Sequence, residues 1–129
     1  MSRLIEMLQH IKKMPRAYLP PHDGGRGSIH LLKAFILGFE MGQPTDEKTR
    51  DFDCFREWVG IYYQTLVDGQ DGFTLILEHV DGDPFLAFDE FFRLLPIYLK
   101  DRQQLGFEGI HIRFNEIQAP LWEKFREEC

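Results

Sequence analysis

The stretch that decides the fold runs from Asp83 to Leu99 and reads DPFLAFDEFFRLLPIYL. Asp83 can cap a helix N-terminus, and Pro84 suits the first helical position because its missing N–H costs nothing there. Apolar side chains then recur at the spacing of one helical face, and further aromatic and aliphatic residues widen that face. The pattern predicts a core helix with packing partners on two sides. Pro96 should kink or divide it, because proline removes a backbone hydrogen bond.

Helical periodicity recurs in four other parts of the chain. Amphipathic helices are predicted before Pro15, from the capping residue Ser28 to Gly42, from Thr49 to Leu66 with Cys54 on its apolar face, and after Pro120. Between the first two lies a turn-rich segment, residues 16–27, in which Tyr18 and Leu19 form the apolar pair that should fix it to the domain.

Two short apolar runs leave helix and strand open. Residues 73–80 fit either state, and the absence of an obvious partner strand favours a helix there. Residues 110–114 alternate like a strand yet continue to Ile117 with helical spacing, and Gly106 and Gly109 predict a loop before them. The sequence as a whole predicts a single all-α domain, residues 1–129, built as a compact bundle of five or six helices with short strands as the alternative at those two runs.

The charge of −6 is unevenly distributed along the chain. Residues 1–33 carry six lysines and arginines against two acids, whereas residues 34–65 carry a net −3 and residues 66–100 a net −5. The acidic segments would repel a phosphate backbone and attract a basic partner, although a solvated surface explains most such charge blocks. No nucleic-acid partner is therefore expected.

The hydrophobic runs, the start of the sequence and the two cysteines indicate a cytoplasmic protein. No run approaches the roughly 20 apolar residues that cross a membrane, and the start of the chain lacks a signal-peptide pattern. Cys54 and Cys129 are most simply two free thiols in a reducing compartment, and their pairing is left open. A homo-oligomer is also left open.

The chemical motifs predict neither catalysis nor a cofactor. The aspartate-glycine turns at 68–72 and 81–83 lack the glycine and glutamate of a calcium loop, and the five histidines show no metal-ligand spacing. The glycine-rich run 24–28 precedes a helix but lacks the phosphate-loop pattern. Cys54 fits a small apolar residue better than a nucleophile. The sequence thus predicts no catalytic residue and no metal site.

The order of several landmarks is similar to that of a known class. The segments are KMPRAYL at 13–19, SIHLL at 28–32, FILGF at 35–39, FREWV at 55–59 and AFDEFFRLL at 87–95. This order resembles small helical bacterial immunity proteins of polymorphic or contact-dependent growth inhibition toxin systems. The resemblance covers roughly residues 5–99, and it departs from the pattern at Pro20, Pro21 and Pro96.

The resemblance implies a stoichiometric inhibitor that binds a cognate protein toxin one-to-one through an acidic surface, with a nuclease as one candidate for the toxin. A toxin that acts on nucleic acid is expected to be basic, so an acidic inhibitor would meet it rapidly. The candidate partner-binding residues are Glu40, Asp46, Glu47, Asp51, Asp53, Asp68, Asp71, Asp81, Asp83, Asp89 and Glu90. Any of Trp58, Tyr62, Tyr63 or Trp122 that remains exposed would serve as an aromatic anchor.

Two other readings compete with the inhibitor. One is a small cytoplasmic adaptor or regulatory module whose partner is not a toxin. The other is an enzyme or ligand-binding protein that uses the segment between Tyr18 and Ser28 as a lid, which would require clustered polar groups in a pocket.

Overall fold

The structure, a computed structural model, describes residues 2–15, 26–43 and 50–128. Within these ranges the chain forms five helices and no strand, which confirms the predicted all-α fold. The helices are α1 (Arg3–Lys13), α2 (Ile29–Met41), α3 (Phe55–Tyr63), α4 (Gly72–His79) and α5 (Pro84–Glu128). Both ambiguous runs, 73–80 and 110–114, are helical apart from the turn residue Val80. The predicted positions of Tyr18, Leu19 and Cys129 fall outside the described residues.

Four of the five helices begin at a residue whose side chain accepts a backbone hydrogen bond from the first turn. These caps are Ser2, Ser28, Asp71 and Asp83. Asp83 accepts from the N–H groups of Phe85 at 2.9 Å and Leu86 at 3.1 Å, as its position before Pro84 predicts. The local sequence therefore sets where these helices start.

α3 begins differently and is shorter than its periodicity predicts. Cys54, expected inside the helix, precedes it in the left-handed conformation with φ of 68° and makes no side-chain cap. The helix ends at Tyr63, because Gln64 is also left-handed with φ of 50°. Residues other than glycine rarely adopt this left-handed backbone conformation. The surrounding packing must therefore stabilise both ends of α3.

α5 contains one break, and it lies at Gly106. There φ is 70° and ψ is 174°, a backbone conformation open essentially to glycine alone. The expectation of a division at Pro96 was wrong, because the helix continues through that residue. The predicted interruption at Gly106 is confirmed, but it is a break at one residue and not a loop, since the helix resumes at once and includes Gly109. The separate helix predicted after Pro120 was wrong, because α5 contains Pro120. We call residues 84–105 the first arm and residues 107–128 the second arm.

The first arm runs antiparallel to α3. Tyr63, at the end of α3, donates to Glu90 near the start of the arm, over 2.7 Å. Trp58, earlier in α3, donates through Nε1 to Asp101 Oδ2 near the end of the arm, over 2.9 Å. Later positions in the arm thus meet earlier positions in α3.

The second arm lies along α3 in the opposite sense. Cys54 Sγ is 3.3 Å from His111 Nε2, whereas Gln118, further along the arm, bonds to the backbone beyond α3. Its side chain accepts from Val67 N at 2.9 Å and donates to the Thr65 carbonyl at 2.8 Å. The two arms therefore run in opposite directions, with α3 packed against both.

Aromatic rings fill the centre of the bundle. The ring of Phe52 lies 5.3 Å from that of Phe55, 6.3 Å from Phe73, 5.9 Å from Phe91 and 6.0 Å from Tyr98, measured between centroids. These rings come from α3, α4, α5 and the turn before α3. Large rings bury much apolar area each, so this cluster joins the three helices into one core.

The turn at 51–53, which precedes α3, is held by polar groups from α5 and from the residue that caps α1. The Tyr98 hydroxyl lies 2.6 Å from the Asp51 carbonyl and 2.8 Å from that of Asp53. Arg102 also donates to the Asp51 carbonyl at 2.7 Å, and Ser2 donates to the Asp51 carboxylate at 2.7 Å. These hydrogen bonds therefore hold the turn against α5 and the start of α1.

α3 approaches the second arm closely at Gly60. A Cβ there would lie 2.8 Å from Val67 Cγ2 and 3.2 Å from Phe114 Cε1. We expect Gly60→Ala to lower the free energy of unfolding by about 1 kcal/mol, because overpacking of 1–3 kcal/mol exceeds the gain in helix propensity. Urea denaturation of the two proteins measures the difference.

Gly38 supplies the matched control. It lies inside α2, is exposed, and has no atom within 4 Å of an added Cβ. Gly38→Ala should raise the free energy of unfolding by about 0.5–1 kcal/mol through helix propensity alone. Equal shifts for the two variants would contradict the close approach at Gly60.

Candidate functional site

An ordered group of aromatic and charged side chains lies where the ends of α3 and α4 meet the first arm of α5. We call Tyr62, Tyr63, His79, Glu90 and Arg93 the tyrosine–arginine surface. The Tyr63 hydroxyl donates to Glu90 Oε2 at 2.7 Å, and Arg93 donates to the same carboxylate through Nε at 2.6 Å and Nη2 at 2.9 Å. Arg93 Nη1 also donates to the Tyr62 hydroxyl at 3.3 Å.

The rings of this surface are supported from beneath. Tyr62 stacks on the buried indole of Trp58 with centroids 5.3 Å apart, and the Arg93 guanidinium lies 5.8 Å from the centre of the Tyr62 ring. Tyr63 stacks on His79 at 3.9 Å with an angle of only 12° between the planes. Nevertheless 39% of Tyr62 and 54% of the Arg93 side chain remain exposed. The surface is therefore both accessible and preorganised.

The network also fixes the charge of its members. Hydrogen bonds from Arg93 and Tyr63 hold the pKa of the Glu90 carboxyl below its ordinary value, against a smaller opposing effect of burial. Burial, and then the hydrogen bond to Glu90, raise the pKa of the Tyr63 hydroxyl well above its ordinary value. At neutral pH Glu90 is thus ionised and Tyr63 is neutral, which preserves the donor and acceptor roles between them.

Five of the predicted acidic site residues have structural roles. Glu40 is buried and accepts from Phe52 N at 3.3 Å, and Asp51 faces Arg102 at 3.7 Å. Asp71 pairs with Lys33 while capping α4, Asp83 caps α5, and Glu90 belongs to the tyrosine–arginine surface. These carboxylates are already engaged, so they are less available to a partner than their sequence suggests.

The other predicted acidic residues lie in different parts of the chain. Asp89 lies in the first arm beside Glu90, and Asp81 is in the turn after α4; both are exposed. Asp53, which accepts from Arg50 N at 2.8 Å, and Asp68 are exposed at the two loops that flank α3. Asp46 and Glu47 lie outside the described residues.

The four candidate aromatic anchors differ in their exposure to solvent. Trp58 is 2% exposed and belongs to the core, Tyr63 and Trp122 are half-buried, and Tyr62 is the most exposed of the four.

Sequence reasoning missed Arg93 as a site residue. Its spacing of three residues from Glu90, the geometry of a helical ion pair, could have indicated it.

A second polar pair, Cys54 with His111, resembles the nucleophile and base of some hydrolases only in composition. Burial, and after it the negative charges of Glu57 and Asp53, raise the pKa of the Cys54 thiol above its ordinary value. A reactive cysteine requires the opposite shift. Among the described residues no three histidine, cysteine or acidic side chains are grouped so as to hold a metal ion.

The helices of the described ranges include none that is both long enough and apolar enough to span a membrane. Comparison of the chain with models of known protein families, with curated proteins and with solved structures gives no match.

Glu40 offers a test of its structural role. Burial raises the pKa of its carboxyl above the ordinary value, so the folded state binds a proton more tightly than the unfolded state. At neutral pH the charge therefore costs stability, and the cost disappears as pH falls through the raised pKa. Glu40→Gln keeps an acceptor for Phe52 N and should raise the thermal midpoint at pH 7, with an advantage that shrinks towards pH 4.5.

Glu116→Gln is the control for this series, because Glu116 is exposed on the second arm. Its thermal midpoint should follow that of the parent protein at each pH. A Glu40→Gln protein that is less stable than the parent at pH 7 would show that the buried carboxylate is favourable in its ionised form.

Proposed function

We propose that this chain is a cytoplasmic immunity-type protein, which binds a cognate bacterial toxin one-to-one and neutralises it without catalysing a reaction. The observation that supports the proposal is the tyrosine–arginine surface, in which exposed rings are held in place by hydrogen bonds before any partner arrives. The order of sequence landmarks shared with immunity proteins supports the toxin as the partner.

The composition of this surface suits protein recognition. Tyrosine and arginine are enriched among residues that contribute most to binding energy, and rings lose little conformational entropy when they are already ordered. Tyr62 has a fixed ring over Trp58 and an exposed edge, which is the arrangement of an anchor residue. Binding here would need no rearrangement of the inhibitor.

Charge around the surface supports a basic partner. Glu78, Asp81 and Asp89 are exposed and make no hydrogen bond or ion pair with their side chains within residues 2–15, 26–43 and 50–128. Glu90, by contrast, is neutralised by Arg93. Unpaired carboxylates raise the rate of encounter with a positively charged protein, particularly at low ionic strength. A toxin that acts on nucleic acid would carry such a charge.

The direct test is growth rescue. If a toxic domain is encoded immediately upstream of this gene, that domain is expressed in a bacterial host with and without this protein. We expect growth only in the presence of this protein, together with a one-to-one complex on size-exclusion chromatography. A toxin that kills equally in both strains and forms no complex would contradict the proposal for that partner, and a complex without rescue would favour the adaptor reading.

The anchor role of Tyr62 gives a sharper prediction. Tyr62→Ala should weaken the complex by about 30-fold or more, the size of a 2 kcal/mol hot spot, as measured by titration calorimetry. Phe125→Ala is the matched control, because Phe125 is a similarly exposed ring, 43% against 39%, on the second arm. Equal losses in the two variants would exclude the tyrosine–arginine surface as the binding site.

A further inference from the structure

A notch lies beside the tyrosine–arginine surface, between the ends of α3 and α4. It is lined by Tyr63, Thr65, Leu75, Glu78 and His79 and has a volume of about 210 Å³. Since a water molecule occupies about 30 Å³ in the liquid, the notch has room for the head group of a side chain. Neither the fold nor the proposed toxin contact explains why this space is open.

Two helix C-termini meet at the notch. Tyr63 is the last residue of α3 and His79 the last of α4, and their stacked rings hold the two ends together. The C-terminal end of a helix carries a partial negative charge because its last carbonyl groups point outwards. The backbone on both sides therefore favours a positive charge in the space between them.

A side-chain carboxylate on the wall adds a full negative charge. Glu78 is exposed, and its carboxylate has no hydrogen-bond or ion-pair partner in the described part of the chain. The nearby carboxylate of Glu90 is saturated, because it accepts from Tyr63 and twice from Arg93. Arg93 is thus paired with Glu90, and among the described residues no cationic side chain pairs with Glu78.

The other walls suit a flat cation with an apolar stem. Leu75 is buried and apolar, and Tyr63 contributes an aromatic ring to the lining of the notch. Thr65 also lines the notch and has a hydroxyl that can accept a hydrogen bond. Guanidinium groups bind carboxylates through two parallel N–H donors and stack their flat face on aromatic rings, whereas an ammonium is a compact point charge without that planar fork.

We propose that this notch receives an arginine side chain of the basic protein partner, with the guanidinium against Glu78 and Tyr63. The inference rests on the proposed function for the identity of the partner, and it adds the chemical group by which that partner is recognised. A divalent metal ion is a poorer occupant, since one carboxylate is far from the six to eight oxygen ligands that calcium takes.

The test uses arginine blocked at both ends as the probe. N-acetyl-arginine-N-methylamide is titrated into the isotope-labelled full chain in low-salt buffer, and amide shifts are followed by NMR. We expect saturable shifts confined to the backbone around residues 63–65 and 78–80. The corresponding citrulline derivative, which has the same shape without the charge, should cause none of them.

Two variants locate the site. Glu78→Gln should weaken arginine binding about tenfold, the effect of losing one charge-assisted contact. Glu123→Gln makes the same change at an exposed position of the second arm and should leave binding unchanged. Both substitutions are at exposed positions, and a thermal melt of each variant verifies that it is folded.

Three results would overturn the inference: no saturable shift, equal shifts with citrulline, or binding that is unaffected by Glu78→Gln. The outcome is separable from that of the growth rescue. Rescue by a protein whose notch ignores arginine contradicts only the arginine site. Arginine binding by a protein that rescues no toxin-expressing strain supports the notch and contradicts only the immunity function.

Discussion

The contact on which the rest of the structure depends is that of the Tyr98 hydroxyl with the turn at 51–53. Tyr98 is fully buried, and burial raises the pKa of its hydroxyl, so the proton that it shares with the Asp51 and Asp53 carbonyls is retained. Through Asp51 the same turn reaches α1 and Arg102, and through Phe52 it reaches Glu40 of α2. Four of the five described helices are thus joined at one turn.

This constraint also positions the candidate site. Because the turn fixes the start of α3 and the first arm runs antiparallel to it, the end of α3 must lie beside the start of α5. Tyr63 and Glu90 therefore meet although 27 residues separate them in sequence. The tyrosine–arginine surface and the notch are built at the end of α3 opposite the turn, so the core to which Leu75 of the notch belongs also orders them.

The sequence predicts most helices and the caps Ser28 and Asp83, because apolar periodicity and capping are local, whereas the caps Ser2 and Asp71 were not predicted. It indicates the interruption at Gly106 but not that the helix continues undivided through Pro96. Burial of the neighbouring Leu95 and Tyr98 in the core favours the helix there, and such burial is not visible in a local pattern. The acidic site residues were predicted by charge alone. Whether Asp51 or Asp89 is free depends on groups such as Arg102, 51 positions from Asp51, and no local rule indicates that distance.

The second arm has a consequence for the order in which the protein is completed on the ribosome. Gln118 bonds to the backbone at Thr65 and Val67, and Phe114 approaches Gly60, so one flank of α3 is covered only by residues translated some fifty positions later. Long-range closure of this kind comes late in folding. The nascent chain must therefore carry one uncovered flank of α3 until the second arm has been translated, and the packing around that helix is completed only then.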